Sequence, residues 1–264
     1  MGVVNVTPDS FYDGGQHGTH GAAVAHGRTL LSDGADILDI GGESSRPGSD
    51  PVTPEEETAR VLPVFEALSA ALPDAALLSV DTYHAETARA ATDAGAHMVN
   101  DITALRGDPA MADVIASSGC MCVLMHMLGS PKTMQDAPRY ADVVDDLLAF
   151  FDERISYAVS RAIREDRLWI DPGFGFGKTV AHNLDILRRL GAFRSLGLPI
   201  LIGTSNKSTI GAVLDAPVDD RMEGTAATVA IAIAHGADAV RVHDVKTMAR
   251  VARMSDAIIR RGRP

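Results

Sequence analysis

Short, nearly unbroken apolar runs recur along the chain, with longer stretches of helical periodicity between them. Runs near 2–6, 36–40, 77–81, 97–100, 121–126, 168–171, 198–203 and 238–243 read as strands. The intervening patterns predict helices near 20–33, 55–71, 84–94, 109–118, 141–164, 180–191, 221–235 and 246–261. One junction repeats: a helical pattern closes on glycine, a small residue follows, and a strand begins, as at Gly34, Gly95, Gly119, Gly197 and Gly236. Glycine fits the left-handed cap that ends a helix. Runs such as Leu198-Pro199-Ile200-Leu201-Ile202 lack polar alternation, which implies a parallel sheet buried on both faces. Eight strand-helix units predict an α/β fold, a (β/α)8 TIM barrel forming a single domain over residues 1–264. A doubly wound open sheet is the alternative, but it does not call for eight equivalent units.

Barrels of this kind build their sites at the carboxyl ends of the strands, and polar residues collect there. The first strand ends at Asn5 and leads into a long loop, Thr7 to Gly15. The second ends in Gly41-Gly42-Glu43-Ser44-Ser45-Arg46-Pro47-Gly48. The third to fifth end in Asp81-Thr82, Asn100-Asp101 and His126. The sixth opens a glycine-rich stretch, Asp171-Pro172-Gly173-Phe174-Gly175-Phe176-Gly177-Lys178. The seventh runs into Gly203-Thr204-Ser205-Asn206-Lys207-Ser208, and the eighth ends Arg241-Val242-His243-Asp244. Each residue alone could be a helix cap or a hydrogen-bonded barrel residue. Their joint placement on one face is what points to a site.

The residue types suggest its chemistry. Asp81, Asn100 and Asp171 supply carboxylate and amide groups suited to the amino-imino edge of a heterocycle, and Lys207 supplies the complementary donor. A pteridine-like ring has that pattern. Asp171 and Lys178 are expected to bracket a flat space between Phe174 and Phe176. Asn5, Arg241, His243 and the start of the last helix would form an anion site, with the Asn5 oxygen suited to Mg²⁺. The set fits a heterocycle carrying a pyrophosphate.

Charge and composition narrow the partners. The chain has 24 basic and 35 acidic side chains, a net charge of −11, and no basic run long enough to track a phosphate backbone, so nucleic acid is not an expected partner. Two cysteines, Cys120 and Cys122, read as buried thiols in a reducing compartment. No apolar stretch approaches membrane-spanning length and the chain opens without a basic leader, so the expectation is a cytoplasmic protein with no membrane partner. The first strand begins abruptly, which suggests residues upstream. His17, His20 and His26 have no carboxylate scaffold and read as a solvated segment. Glu55, Glu56 and Glu57 after Thr53-Pro54 fit a helix N-terminus.

Four stretches carry a resemblance: Asn5 to Phe11, Gly41 to Gly48, Asp171 to Lys178, and Arg241 to Val245. They resemble the dihydropteroate synthase family, in order and over nearly the whole chain. The resemblance implies a (β/α)8 barrel, usually a homodimer, that uses Mg²⁺. Its members condense 6-hydroxymethyl-7,8-dihydropterin pyrophosphate with p-aminobenzoate. It assigns Asp81, Asn100, Asp171 and Lys207 to the pterin, Asn5 to the metal, and Arg241 and His243 to pyrophosphate. Loops Thr7 to Gly15 and Ser44 to Ser49 would close, placing Ser45, Arg46, Pro47 and Phe176 around p-aminobenzoate, with Ser208 facing its carboxylate. Met125 could line the pterin pocket or simply pack in the core. Two departures stand out: Asn206 replaces the family's usual Arg before Lys207, and Ser45 stands where many members carry Thr. A pterin-binding methyltransferase would not need Lys207-Ser208 or the Arg241/His243 pair. A catalytically idle family member is the second alternative, kept open by Asn206.

Overall fold

The chain folds into a closed ring of eight parallel strands wrapped by helices. The computed structural model describes residues 1–7, 16–44 and 48–260, the side chains of residues 16–19 excepted. Ser45, Arg46, Pro47 and most of the first loop lie outside the described residues.

The strands are β1 Gly2–Asn5, β2 Ile37–Gly41, β3 Leu77–Asp81, β4 Met98–Asp101, β5 Met121–Met125, β6 Leu168–Asp171, β7 Leu201–Ile202 and β8 Ala239–Val240. Strands β1 to β6 pair in sequence order, and β7 pairs with β8. Parallel bridges between Ile170 and Ile200 and between Gly2 and Val242 close the ring. The described helices are α1 Gln16–Ser32, α2 Pro54–Ser69, α3 Ala85–Asp93, α4 Met111–Ser118, α5 Val143–Ser160, α6 Val180–Arg188, α7 Ser208–Leu214, α8 Met222–Ala234 and α9 Val245–Ile259. The five junction glycines all have positive φ, between 68° and 104°. Thr53 caps α2 by accepting from Glu56 N at 3.2 Å, and Asp142 caps α5 through Val144 N and Asp145 N at 2.9 and 3.0 Å.

The sequence patterns differ from the structure in three places. Strands expected over 198–203 and 238–243 shrink to two residues each. Pro199 has no N–H to give, and Ile200 N donates to the Asp238 carboxylate at 2.9 Å instead of to a backbone carbonyl. The helix expected to reach residue 191 gives way after Arg188 to a 3₁₀ segment, Leu190–Leu196. Two helices, α7 and α8, lie between β7 and β8 where one was expected, because seven residues leave too short a period to detect.

Alternation along the strands divides the core in two. Outward residues such as Val4, Leu38, Ile40, Leu78, Val80, Val99, Cys122, Leu124, Leu168, Ile170 and Ile202 join the strand-helix layer. Inward residues Ile37, Leu77, Met98, Met121, Val123, Trp169, Leu201 and Ala239 fill the amino-terminal half of the barrel. Higher in the barrel the inward positions turn polar, with Asp39, Ser79, Asn100, Asp81, Asp171 and Arg241. The apolar floor thus supports a charged mouth.

Phe151 in α5 is fully buried, edge-on to Phe150 and Phe193 at centroid distances of 5.4 and 6.0 Å. Phe151→Ala is expected to cost about 3–5 kcal/mol of stability and lower the urea midpoint accordingly. An unchanged midpoint would show that the helix layer does not depend on this aromatic stack.

Candidate active site

Arg241, at the end of β8, reaches across the barrel. Its Nε donates to Asp39 Oδ2 at 2.5 Å and its Nη2 to Asp81 Oδ2 at 2.7 Å. Asp39 is wholly buried and also accepts from Ser79 Oγ at 2.6 Å and Asn100 Nδ2 at 3.1 Å. Because the Asp39 carboxylate only accepts, Asn100 must turn its amino group toward it. Asn100 Oδ1 is left buried with no hydrogen-bond partner. A buried orphan acceptor is costly, and it calls for a donor. Inward glycines at Gly41 and Gly203 leave room beside this network: a Cβ on Gly41 would lie 3.3 Å from Asp81 Cβ, and one on Gly203 3.6 Å from Arg241 Cβ.

Asp171 is buried at the end of β6 and accepts from Gly173 N at 2.7 Å. Burial raises its pKa, while Lys207 and that backbone donor pull the other way. Lys207 Nζ donates to Phe174 O and stands 4.6 Å from the centroid of the Phe176 ring. Desolvation lowers its pKa to about 8 against the attraction of Asp171. Burial lifts Asp81 to about 7, opposed by Arg241 and reinforced by Asp39.

The glycine-rich stretch differs from expectation. Lys178 does not face the mouth but turns beneath the loop, 3% exposed. Its Nζ donates to Gly173 O and Phe176 O at 3.0 Å each and lies 2.9 Å from His126 Nδ1. Burial and neighbouring cations lower the pKa of His126 to about 2, so the ring is neutral and offers Nδ1 as an acceptor. His126 is therefore a support of the loop, not a group of the mouth. Phe174 belongs to the core, and only Phe176 is part-exposed. Gly173 has φ +66°, and a Cβ there would lie 1.9 Å from His126 O.

The remaining candidates fall around this centre. Met125 is buried with Ile102, Met127 and Met134 against Tyr83 and Phe176, at the aromatic wall of the mouth. His243 is exposed, its Nδ1 2.9 Å from Ser205 Oγ. Asn5 is half-buried at the end of β1, and Ser208 is exposed as the first residue of α7. Asn206 adopts φ 59°, a left-handed conformation that Asn tolerates well. Its carbonyl accepts from Arg221 Nη1 at 2.8 Å, so a guanidinium from the adjoining α8 segment braces this turn.

Two features were missed. Asp39 is a lone charge inside the apolar run Leu38-Asp39-Ile40, a signal that was available. Glu57 stands in the first turn of α2 as expected, and it is also buried, accepting from Thr82 Oγ1 at 2.5 Å with His84 Nδ1 at 3.0 Å. Glu43, Glu57 and His84 bring ligand-type atoms within 4.8 Å of one another. Tyr83 OH and Val52 N also donate to Glu43, at 2.8 and 3.2 Å, so the cluster is internally satisfied.

Fold and site together define an α/β barrel whose mouth carries the acceptors and the donor that a flat, polar-edged ring would need. The family model described as pterin binding enzyme matches residues 1–243. The dihydropteroate synthase of Bacillus subtilis (strain 168) is 45% identical over 262 residues, 99% of this chain and 89% of that protein. Among solved structures, Yersinia pestis dihydropteroate synthase with a sulfonamide drug complex matches with a TM-score of 0.93 and 43% identity, covering 99% of this chain and 94% of that one. Xanthomonas albilineans dihydropteroate synthase with 4-aminobenzoic acid gives 0.91 and 47%, covering 100% and 93%. The chain belongs to the dihydropteroate synthase family of pterin-binding enzymes.

Two outcomes test the site's construction. Gly173→Ala is expected to displace the loop and abolish pterin binding, measured by fluorescence titration alongside circular dichroism. With the Lys207 pKa lowered to about 8, its ammonium is lost as pH rises through that value. Pterin affinity should then fall up to about tenfold per pH unit above it. A flat profile to pH 10 would remove the Lys207 charge from recognition. For stability the sign is opposite: the unfolded chain holds the Lys207 proton to higher pH, so this group's contribution to stability grows with pH above about 8.

Proposed function

We infer that the protein is a dihydropteroate synthase, joining 6-hydroxymethyl-7,8-dihydropterin pyrophosphate to p-aminobenzoate with release of pyrophosphate. The observation that carries this reading is the donor-acceptor layout of the mouth: a buried carboxylate at Asp171, an orphan acceptor at Asn100 Oδ1, and an ammonium at Lys207 beside the Phe176 ring. In this reading Asp171 and Asn100 accept from the amino-imino edge of the pterin, and Lys207 donates to the opposite edge. Asp81 closes the floor with Arg241. The guanidinium of Arg241 and the imidazole of His243 meet the pyrophosphate.

The proposed reaction is a displacement at the pterin methylene. The bond from methylene carbon to pyrophosphate oxygen breaks as Arg241 and His243 take up the leaving group's growing charge. The electron-rich ring spreads the resulting cation, and the Asp171 carboxylate stabilises it. The neutral aniline nitrogen attacks and loses its proton after bonding. Met125 and Phe176 form an apolar wall, and Ser45, Arg46 and Pro47, with Ser208 at the start of α7, would complete the p-aminobenzoate side. Mg²⁺ fits this site only as a companion of the pyrophosphate. Asn5 offers one neutral oxygen, and Mg²⁺ takes most of its ligands from phosphate and water. The internally bonded Glu43, Glu57 and His84 do not suit it. When bound, the ion would neutralise charge on the leaving group.

The reading extends to a homodimer. Helix α8 is predominantly apolar, yet Ile231 is exposed, as are Val213, Leu214, Val218 and Met222 before it and Met254 and Ile258 on the adjoining α9. A run of exposed apolar side chains on neighbouring helices usually marks a face that another protein surface covers. Cytoplasmic placement suits the two free, buried cysteines, and among the described residues no helix is long and apolar enough to cross a membrane.

Purified protein with dihydropterin pyrophosphate, p-aminobenzoate and Mg²⁺ should yield pyrophosphate and dihydropteroate in equal amounts. Asp171→Asn should lower turnover at least about a hundredfold with unchanged circular dichroism. Pterin binding without either product would instead identify an idle family member. Ile231→Glu should convert a dimer to a monomer in light scattering, and a wild-type monomer would refute the dimer.

A further inference from the structure

Asp39 lies one layer below the ring-binding groups, is wholly buried, and touches none of the space in the mouth. Its three partners are all donors: Ser79 Oγ, Asn100 Nδ2 and Arg241 Nε. A group with only acceptors, facing an amide that can present either end, dictates which end it sees. With the amino group of Asn100 held at 3.1 Å, its oxygen is turned out as a buried acceptor without a partner.

We propose that Asp39 is a specificity-determining positioning residue, fixing the amide orientation of Asn100 so that the mouth selects heterocycles with a hydrogen-bond donor at that edge. The inference rests on the reading of Asn100 as a ring-edge contact. Its chemical content is a polarity choice. A 2-amino ring offers a donor to Asn100 Oδ1. A 2-oxo ring of the same shape sets an acceptor against an acceptor, and a desolvated mismatch of this kind is strongly rejected. Arg241 sharpens the choice, because its Nε donates to the same Asp39 oxygen that meets Asn100 and so marks that oxygen as an acceptor.

The geometry says what a substitution must keep. Asn100 Nδ2 and Arg241 Nε donate to one and the same oxygen, Asp39 Oδ2, while Ser79 Oγ donates to Oδ1. In Asp39→Asn the carboxamide oxygen takes the Oδ2 place beneath the guanidinium, so Asn100 still meets an acceptor, and the new amino group turns to the Ser79 hydroxyl. In Asp39→Leu no acceptor remains, and the Asn100 amide is free to present either end to the ligand. The loss alters which ring is preferred, and not merely how tightly rings bind.

The test measures dissociation constants of pterin and of its 2-oxo counterpart, lumazine, by fluorescence titration. Variants are Asp39→Leu, Asp39→Asn and Asn100→Ala. Whatever lumazine loses at Asp171 is common to the wild type and the two Asp39 variants and cancels in their comparison. Asp39→Leu should shrink the pterin-to-lumazine affinity ratio at least about tenfold. Asp39→Asn loses the same charge but keeps the acceptor that Asn100 meets, so it should hold the ratio to within about threefold of wild type. It also carries the test if Asp39→Leu does not fold: a ratio collapsed in Asp39→Asn overturns the proposal. Equal weakening of both ligands in Asp39→Leu, with the ratio unchanged, would reduce Asp39 to a structural role and likewise overturn it. If Asn100→Ala leaves the ratio unchanged, the failure belongs to the assignment of Asn100 as a ligand contact, and the proposal falls with it.

Discussion

The ion pairs between Arg241 and the carboxylates of Asp39 and Asp81 are the constraint to which the rest of the mouth conforms. They tie β8 to β2 and β3 across the barrel interior, where the charges are largely removed from water. Buried pairs of this kind add little net stability, since desolvation offsets most of their attraction. Removing one member would leave the others uncompensated. The rise of Asp81 to about 7 registers that cost. The stability that tolerates it comes from below and outside, from the apolar floor around Met98, Val123 and Leu201 and from the strand-helix layer. The pairs instead fix direction: they hold Asn100 by its amino group, and the oxygen that remains is the acceptor offered to a ring.

A second constraint acts on the opposite wall. The loop from Asp171 to Lys178 is folded around a lysine that points into the protein. Its Nζ gathers Gly173 O, Phe176 O and His126 Nδ1, and this pulls the loop down over β5. Gly173 is there because His126 O occupies the place a Cβ would need. The same turn gives Asp171 a backbone donor and leaves Phe176 at the surface of the mouth beside Lys207. A buried lysine thus shapes the site through carbonyls and a neutral imidazole.

Much of this was legible in the sequence because it is periodic. Eight apolar runs, five capping glycines and polar residues at every strand end identify a closed barrel and the end that works. The pairing of Arg241 with Asp39 was not legible, because the two are 202 residues apart and their meeting depends on the stagger of all eight strands. Arg241 reads from the sequence as a cation for an anion, and the folded chain adds what the sequence does not show, the pairing of its Nε with Asp39 and of its Nη2 with Asp81. Lys178 was misplaced for a local reason: successive positive-φ glycines reverse the direction of the loop, and residue spacing does not carry that information. The short helix α7 left too little period to read, and the exposed apolar side of α8 is visible only once its buried side is known.

The neutral residue at position 206 fits the same electrostatic logic. Lys207 already has its pKa lowered by burial and by repulsion from Arg241, with Asp171 as the main opposing attraction. A guanidinium on the adjacent residue would add like charge and push the ammonium further toward neutrality. Asn206 adds none. Its left-handed backbone suits asparagine, and Arg221 braces the turn by donating to the backbone carbonyls of Asn206 and Ala216, contacts that do not depend on the side chain at 206. The departure from the family's Ser-Arg-Lys pattern therefore removes a charge without removing the support of the turn, and it leaves Lys207 better able to hold its proton near neutral pH.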